Sequence, residues 1–189
     1  FRSVIGAGPA GLACTARLLE AGHAVTVFDK HQAFGGMVES VIPPDRQCDA
    51  LRSEISAIFA DVPEDRVDLR LGQGLDAANT LDTILAEGFD AAFIGLGLPQ
   101  AVSVADRPLE GLWNAMDFLS AAKRGEELDL VGKSVAVIGG GNTAMDVAVT
   151  AAQLGAGDVY LIYRRSFKEM PAWTAERNRA VRHGVHFLI

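Results

Sequence analysis

Val4-Ile5-Gly6-Ala7-Gly8-Pro9-Ala10-Gly11-Leu12 joins an apolar strand end, a glycine-rich turn and the start of an amphipathic segment. The turn has the form Gly-x-Gly-x-x-Gly. Gly6 permits the tight turn, Gly8 lets a pyrophosphate approach the backbone, and Gly11 allows helix to pack on strand. The helix N-terminus then presents free N–H groups to an anion. A helix is expected over Ala10–Ala21, with Leu12, Ala13, Ala16 and Leu19 at helical spacing, and Ala24–Phe28 follows as a second strand. Asp29 closes that strand roughly 20 residues past the turn, where a carboxylate accepts hydrogen bonds from a ribose 2′-hydroxyl. A lone glycine motif is weak evidence. Here strand, turn, helix and acid fall in register as one βαβ unit.

The pattern recurs. Ser134-Val135-Ala136-Val137-Ile138 reads as a strand, Gly139-Gly140-Gly141-Asn142-Thr143-Ala144 as a Gly-x-Gly-x-x-Ala turn, Asn142–Leu154 as a helix and Val159–Tyr163 as a second strand. The second copy ends in Tyr163-Arg164-Arg165-Ser166 instead of an acid. A carboxylate there would repel a 2′-phosphate, whereas guanidinium groups pair with one bidentately. The change favours NADP(H) over NAD(H), although Arg164 and Arg165 also read as a solvated basic pair at a strand end. Lys168 reads as a surface cation that would assist a phosphate.

Between the copies, a loop holds Gly35-Gly36 and Pro43-Pro44. A helix is expected around Asp49–Ala60, a strand at Val67–Leu71, a short helix near Leu81–Ala86 and a buried strand at Ala91–Ile94. Residues 99–111 read as a connection. A helix near Asn114–Arg124 leads to the charged stretch Gly125–Gly132, and Val185–Ile189 reads as a last strand. Alternating strands and helices define an α/β class with parallel sheets. The chain begins and ends close to strands, so a piece of a longer protein is expected.

Composition narrows the function. The 189 residues carry 17 Lys+Arg against 24 Asp+Glu, a net charge of −7, which argues against a sequence-independent nucleic-acid binder. Cys14 and Cys48 are the only cysteines, too few for a disulfide scaffold or a cysteine-bound cluster. No apolar run approaches about 18 residues. With no signal-peptide pattern either, no membrane association and a cytoplasmic location are expected.

Other candidates are individually weaker. Gly35-Gly36-Met37 suits close backbone approach to a planar ring, but alone it reads as an ordinary turn. Gly95 and Gly97 end the Ala91–Ile94 strand where a second ligand-facing turn would sit. His23, His31, His183 and His186 lack metal-ligand spacing, so no metal site is expected. No Ser-His-Asp set or carboxylate pair points to hydrolysis. Cys14 reads as a small core residue and Cys48 as chemically unremarkable.

Taken together, the chain resembles the flavin and pyridine-nucleotide module shared by the small subunit of glutamate synthase and by dihydropyrimidine dehydrogenase with its bacterial electron-input subunit. The resemblance spans essentially the whole chain. It rests on Val4–Leu12, Phe34-Gly35-Gly36-Met37, Ile42-Pro43-Pro44-Asp45-Arg46 and Phe89–Pro99, then on Gly140-Gly141-Asn142-Thr143-Ala144-Met145-Asp146, Tyr163-Arg164-Arg165 and Met170-Pro171-Ala172. It implies two Rossmann-like folds, an FAD-binding one and an inserted NAD(P)-binding one, both truncated. The expected divisions are 1–110 (partial FAD-binding domain), 111–132 (connecting helix and linker) and 133–189 (partial NAD(P)-binding domain).

The resemblance also implies residue roles. Gly6, Gly8, Pro9, Ala10 and Gly11 would hold the FAD pyrophosphate, and Asp29, with Lys30 beside it, the ribose. Gly35, Gly36, Met37 and Arg46 would lie along the flavin, Leu75 near it, and Gly95 and Gly97 at the facing strand end. Gly139, Gly141, Asn142, Thr143 and Ala144 would hold the nicotinamide dinucleotide, with Arg164 and Arg165 on its 2′-phosphate. The implied activity is hydride transfer from NADPH (or NADH) to FAD, with electrons passed to an iron–sulfur or FMN partner domain or subunit. No catalytic side chain is implied. The family usually carries Glu where this chain has Asp29, and its cysteine-rich iron–sulfur region and last FAD-binding segment have no counterpart here. A nucleotide-binding module without turnover therefore stands as the alternative.

Overall fold

The computed structural model describes residues 1–47, 50–98, 107 and 109–189. By internal contacts it divides into two compact units, Phe1–Ser40 with Arg46–Pro99, and Val41–Asp45 with Gln100–Ile189.

The first unit contains β1 (Arg2–Ile5), α1 (Pro9–Glu20), β2 (Val25–Asp29), α2 (Met37–Ser40), α3 (Leu51–Ala57), β3 (Val67–Leu71), α4 (Leu81–Ala86) and β4 (Ala91–Ile94). The strands form one parallel sheet in the order β3-β2-β1-β4. Val4 pairs with Val27 on one side and with Phe93 on the other. Side chains alternate across a strand, so β1 and β2 feed two cores. Val4, Val25 and Val27 pack with Ala7 and Leu19 on one face, where partly buried Cys14 joins them. Ile5 and Phe28 pack with Ile84 of α4 on the other face. Covering both faces is what a parallel sheet requires, and each fully buried Val or Ile contributes about 1.5–3 kcal/mol.

β4 departs from expectation. It is a strand, but it is not buried: Phe93 is 38% exposed and Ile94 50%. Among the described strands it has one neighbour, β1, so its outer edge carries no ladder.

The second unit contains α5 (Ala115–Lys123), β5 (Ser134–Ile138), α6 (Asn142–Gln153), β6 (Asp158–Ile162), α7 (Thr174–Arg182) and β7 (His186–Leu188). Its parallel sheet runs β5-β6-β7. Met145, Ala148 and Val149 of α6 pack with Phe118 and Leu119 of α5, Leu161 of β6 and Ala180 of α7 in one core. Val41 belongs to that core too, and Lys123 Nζ donates to the Ile42 carbonyl at 2.9 Å.

Several boundaries move. The expected helix over Asp49–Ala60 is shorter, Leu51–Ala57, and Cys48 and Asp49 lie outside the described residues. Asn114 caps α5 instead of beginning it, its side chain accepting from Met116 N–H at 2.8 Å. Two helices have no counterpart in the sequence expectation, the single turn α2 and the nine-residue α7. Most of the connection at 99–111, including Pro99 and Pro108, lies outside the described residues. No described helix is long and apolar enough to cross a membrane.

Candidate functional site

Gly6 sits where the sheet order turns back on itself, between the carboxyl ends of β1 and β4. In open α/β sheets that crevice is where ligands bind. Gly6 N–H donates to Phe28 O of β2 at 2.7 Å, and Gly95 N–H donates to Ile5 O at 2.8 Å, so the ends of β1 and β4 are joined. A Cβ on Gly6 would overlap the Gly95 carbonyl oxygen, and its φ of +108° excludes ordinary residues as well. A Cβ on Gly11 would overlap the Gly6 carbonyl oxygen. Gly8 differs: a Cβ there would meet nothing nearer than Gly36 Cα at 3.9 Å, so its missing side chain leaves open space above the turn.

Asp29 braces this turn. One carboxylate oxygen accepts from Ala7 N–H at 2.7 Å, the other from His31 N–H at 2.7 Å. An ionised carboxylate offers about four acceptor positions, so capacity remains for ribose hydroxyls. Gly35 N–H donates to Ala7 O at 2.8 Å, which lays the Gly35-Gly36 turn against the first turn. Met37 starts α2 and is 41% exposed. Arg46 ends the single 3-10 turn Pro44–Arg46. Lys30 is exposed, its stem against Gly74. Gly97 has φ +69°, and a Cβ there would meet no atom within 4 Å among the described residues beyond its chain neighbours. Leu75, partly buried, packs on the Ile5–Phe28–Ile84 cluster.

The second turn repeats the geometry. Gly139 N–H donates to Ile162 O at 3.0 Å, the counterpart of Gly6 to Phe28. Gly140 lies under the Tyr163 ring, which a Cβ would approach to 2.6 Å. Among the described residues, nothing beyond its own chain neighbours lies within 4 Å of a Cβ built on Gly141. Ala172 N–H donates to Gly140 O at 2.9 Å and Trp173 N–H to Asn142 Oδ1 at 2.9 Å, so the segment after β6 is laid against the turn. Asn142 thus spends an acceptor on positioning that segment, a use the sequence did not reveal. Ala144 is buried at the start of α6.

The helix starts bear on what these turns can hold. α4 and α5 close their own N-termini, Thr80 and Asn114 accepting from Thr83 and Met116 N–H. α1 and α6 begin at Gly8 and Gly141 with no side-chain cap and no acid in the first turn. Their first N–H groups face the open glycine surfaces, which is the arrangement that receives a phosphate.

Charge distinguishes the two turns. Among the described residues, Arg17, Arg52, Arg70, Arg124 and Arg179 pair with carboxylates. None of those ion pairs uses Arg164, Arg165 or Lys168, all three of which are exposed beyond β6. No group of three His, Cys, Asp or Glu among the described residues is arranged to hold a metal ion. Burial pushes the Cys14 thiol pKa up, away from thiolate chemistry.

Two glycine turns at strand carboxyl ends, each opening on an uncapped helix, define an α/β fold of the FAD- and NAD(P)-binding oxidoreductases. The chain belongs to the pyridine nucleotide-disulphide oxidoreductase family, which it matches over residues 3–188. It is 40% identical over 194 residues to the NADP(+)-dependent formate dehydrogenase subunit beta of Moorella thermoacetica, covering 99% of this chain and 27% of that protein. It is 33% identical over 197 residues to the glutamate synthase [NADPH] small chain of Escherichia coli, covering 98% of this chain and 41% of that one. The chain thus spans well under half the length of these curated relatives. Among solved structures, Mycobacterium tuberculosis FprA in complex with NADPH superposes with a TM-score of 0.76 at 21% identity, covering 96% of this chain and 47% of that one. That likeness extends to the fold.

Proposed function

We propose that the chain is the dinucleotide-binding part of a flavoprotein that accepts reducing equivalents from NADPH and passes electrons to a partner. In this reading, residues 1–110 bind FAD, 133–189 bind NADPH, and 111–132 connect them. The observation that carries it is the contrast between the two strand ends: Asp29 faces the first turn, while Arg164 and Arg165, beside the second, form no ion pair with a carboxylate among the described residues. An acid suits a ribose without a 2′-phosphate, and a free arginine pair suits one with it.

The residues fit both groups. Gly8 and Gly141 leave the backbone bare where a pyrophosphate would approach, and α1 and α6 offer uncapped N–H donors. Asp29 would receive the FAD ribose, Gly35-Gly36 would fix the wall beside the first turn, and Ala144 would let α6 lie close to β5. When bound, the cofactors supply the redox chemistry, a hydride passing from nicotinamide to flavin. The protein's share is position and charge, so no acid, base or nucleophile is assigned.

The names of the relatives support an electron-accepting partner. A formate dehydrogenase beta subunit, an NADPH-Fe(3+) oxidoreductase beta subunit and a glutamate synthase small chain are all parts of larger assemblies by name. We take the partner to be an iron–sulfur or flavin domain or subunit. The test is the visible spectrum of the chain after incubation with FAD, followed by anaerobic NADPH and, separately, NADH. Flavin bands that bleach much faster with NADPH are expected. Faster bleaching by NADH would overturn the 2′-phosphate assignment, and failure to retain flavin would leave a nucleotide-binding module without turnover.

A further inference from the structure

Glu169 is the acid nearest in sequence to Arg164 and Arg165, four positions beyond Arg165, and its carboxylate is turned elsewhere. Oε2 accepts from Ser166 Oγ at 2.8 Å and from Ser166 N–H at 3.2 Å, while Glu169 N–H donates to Ser166 O at 3.0 Å. These bonds close the single 3-10 turn Phe167–Glu169 on its own first residue. The Glu169 carbonyl in turn accepts from Tyr163 Oη at 3.2 Å, and the Tyr163 ring lies over Gly140 of the nucleotide turn. Further along, Arg177 donates to Phe167 O at 2.8 Å and stacks over the Phe167 ring. Ala172 and Trp173 then fasten the far end of the loop to Gly140 and Asn142.

Arg164 and Arg165 are thus carried on a loop whose two ends meet at the glycine turn and whose middle is closed by Ser166 and Glu169. A loop already ordered loses less freedom when a ligand arrives. An unrestrained Glu169 would be the local competitor for the guanidinium groups, and Ser166 keeps its Oε2 occupied.

We infer that the Ser166–Glu169 turn is a specificity-determining device: Glu169 is a positioning residue that holds Arg164 and Arg165 ready for a 2′-phosphate. The inference rests on the 2′-phosphate reading above and adds the residue that sets it. Geometry and charge can be separated by substitution. Glu169→Gln removes the negative charge yet can still close the turn, because Gln serves at this position of a capping box. Glu169→Ala removes both.

The experiment is calorimetric titration of the chain and its variants with 2′,5′-ADP and with 5′-ADP, which differ by the 2′-phosphate alone. Wild type is expected to prefer 2′,5′-ADP. Glu169→Ala and Ser166→Ala are expected to weaken 2′,5′-ADP about fivefold and to leave 5′-ADP within about twofold, while Glu169→Gln binds both as well as wild type or better. Tighter 2′,5′-ADP binding by Glu169→Ala would overturn the inference, because Glu169 would then act only as a repelling charge. Loss of both ligands in the two alanine variants would overturn it too, since the turn would be holding the unit together and not the arginine pair. If wild type prefers 2′,5′-ADP and the alanine variants keep that preference undiminished, this inference alone fails. If wild type binds the two ligands equally, the 2′-phosphate reading itself fails and takes this inference with it.

Discussion

Gly11 stands so close to Gly6 that a Cβ on Gly11 would overlap the Gly6 carbonyl oxygen, whereas Gly8, between them, has room for one. The same motif therefore holds glycines of two kinds. Gly6 and Gly11 are required by the fold, whereas the fold leaves room for a side chain at Gly8, where the proposed reading places the pyrophosphate. Gly11→Ala is expected to destabilise the chain by about 2–3 kcal/mol, the usual cost of overpacking a well-filled contact. Gly8→Ala, at an extended φ of −75°, is expected to change stability by less than about 1 kcal/mol and yet to abolish FAD retention. Urea unfolding and flavin content, read on both variants, separate the two effects. A Gly8→Ala chain that keeps its flavin would remove the pyrophosphate from this turn.

Asp29 is the second place where fold and binding part company. Both of its carboxylate oxygens accept backbone N–H groups, from Ala7 and His31. Asn has one acceptor oxygen and would turn its NH2 toward one of those donors. Asp29→Asn is expected to cost about 1–3 kcal/mol of stability through the unsatisfied N–H, measured by urea unfolding without added flavin. An Asn variant as stable as wild type would show that the bond it loses contributes nothing to folding.

What the sequence made legible follows from local chemistry. Both βαβ units could be read because turn, helix and strand repeat within about 30 residues, and each glycine announces its own conformation. Helix α7 was illegible because Thr-Ala-Glu-Arg-Asn-Arg-Ala-Val-Arg carries almost no apolar periodicity; it buries Ala180 and Glu176. Its Ala, Glu and Arg content was the signal that propensity offered. The exposed flank of β4 was misread for the opposite reason. Ala-Ala-Phe-Ile has the composition of a buried parallel strand, and composition does not tell which neighbour supplies the covering. Nor could spacing show that Asn142 accepts from Trp173, because that bond joins residues brought together by the fold.

Arg164 and Arg165 make a prediction that salt should modulate. Each charge-assisted bond to a phosphate contributes about 1.5–3 kcal/mol, so Arg164→Gln and Arg165→Gln should each weaken NADPH binding by about ten- to a hundredfold. NADH binding should stay within about twofold. The NADPH preference of wild type should shrink as ionic strength rises, because exposed charges are screened. Titrations at low and high salt on wild type and both variants test this. Equal loss of NADH affinity in the variants would show that the arginines support the loop and not the phosphate.

Asp45 gives the second unit a dependence on pH. Burial disfavours its charged form, but the hydrogen bond and charge of Arg179, with help from Gln153, outweigh that and hold its pKa below the ordinary 3.8. Arg179 also reaches Asp146 Oδ1 at 3.5 Å, and its side chain is only 13% exposed. A carboxyl whose folded pKa is depressed adds stability that is fully present above its unfolded value. That stability is lost as the pH falls through the folded one. The contribution of Asp45 is therefore complete at neutral pH and disappears on acidification below the usual carboxylate range. Because its side chain is 44% exposed, screening limits the effect to about 0.5–1 kcal/mol. Asp45→Asn should be less stable than wild type at pH 7 by that amount, and the two should converge as the pH is lowered through and below the ordinary carboxylate range. Urea midpoints collected across that window decide the matter, since a constant gap between the two chains would mean that the ionisation of Asp45 is not what Arg179 stabilises.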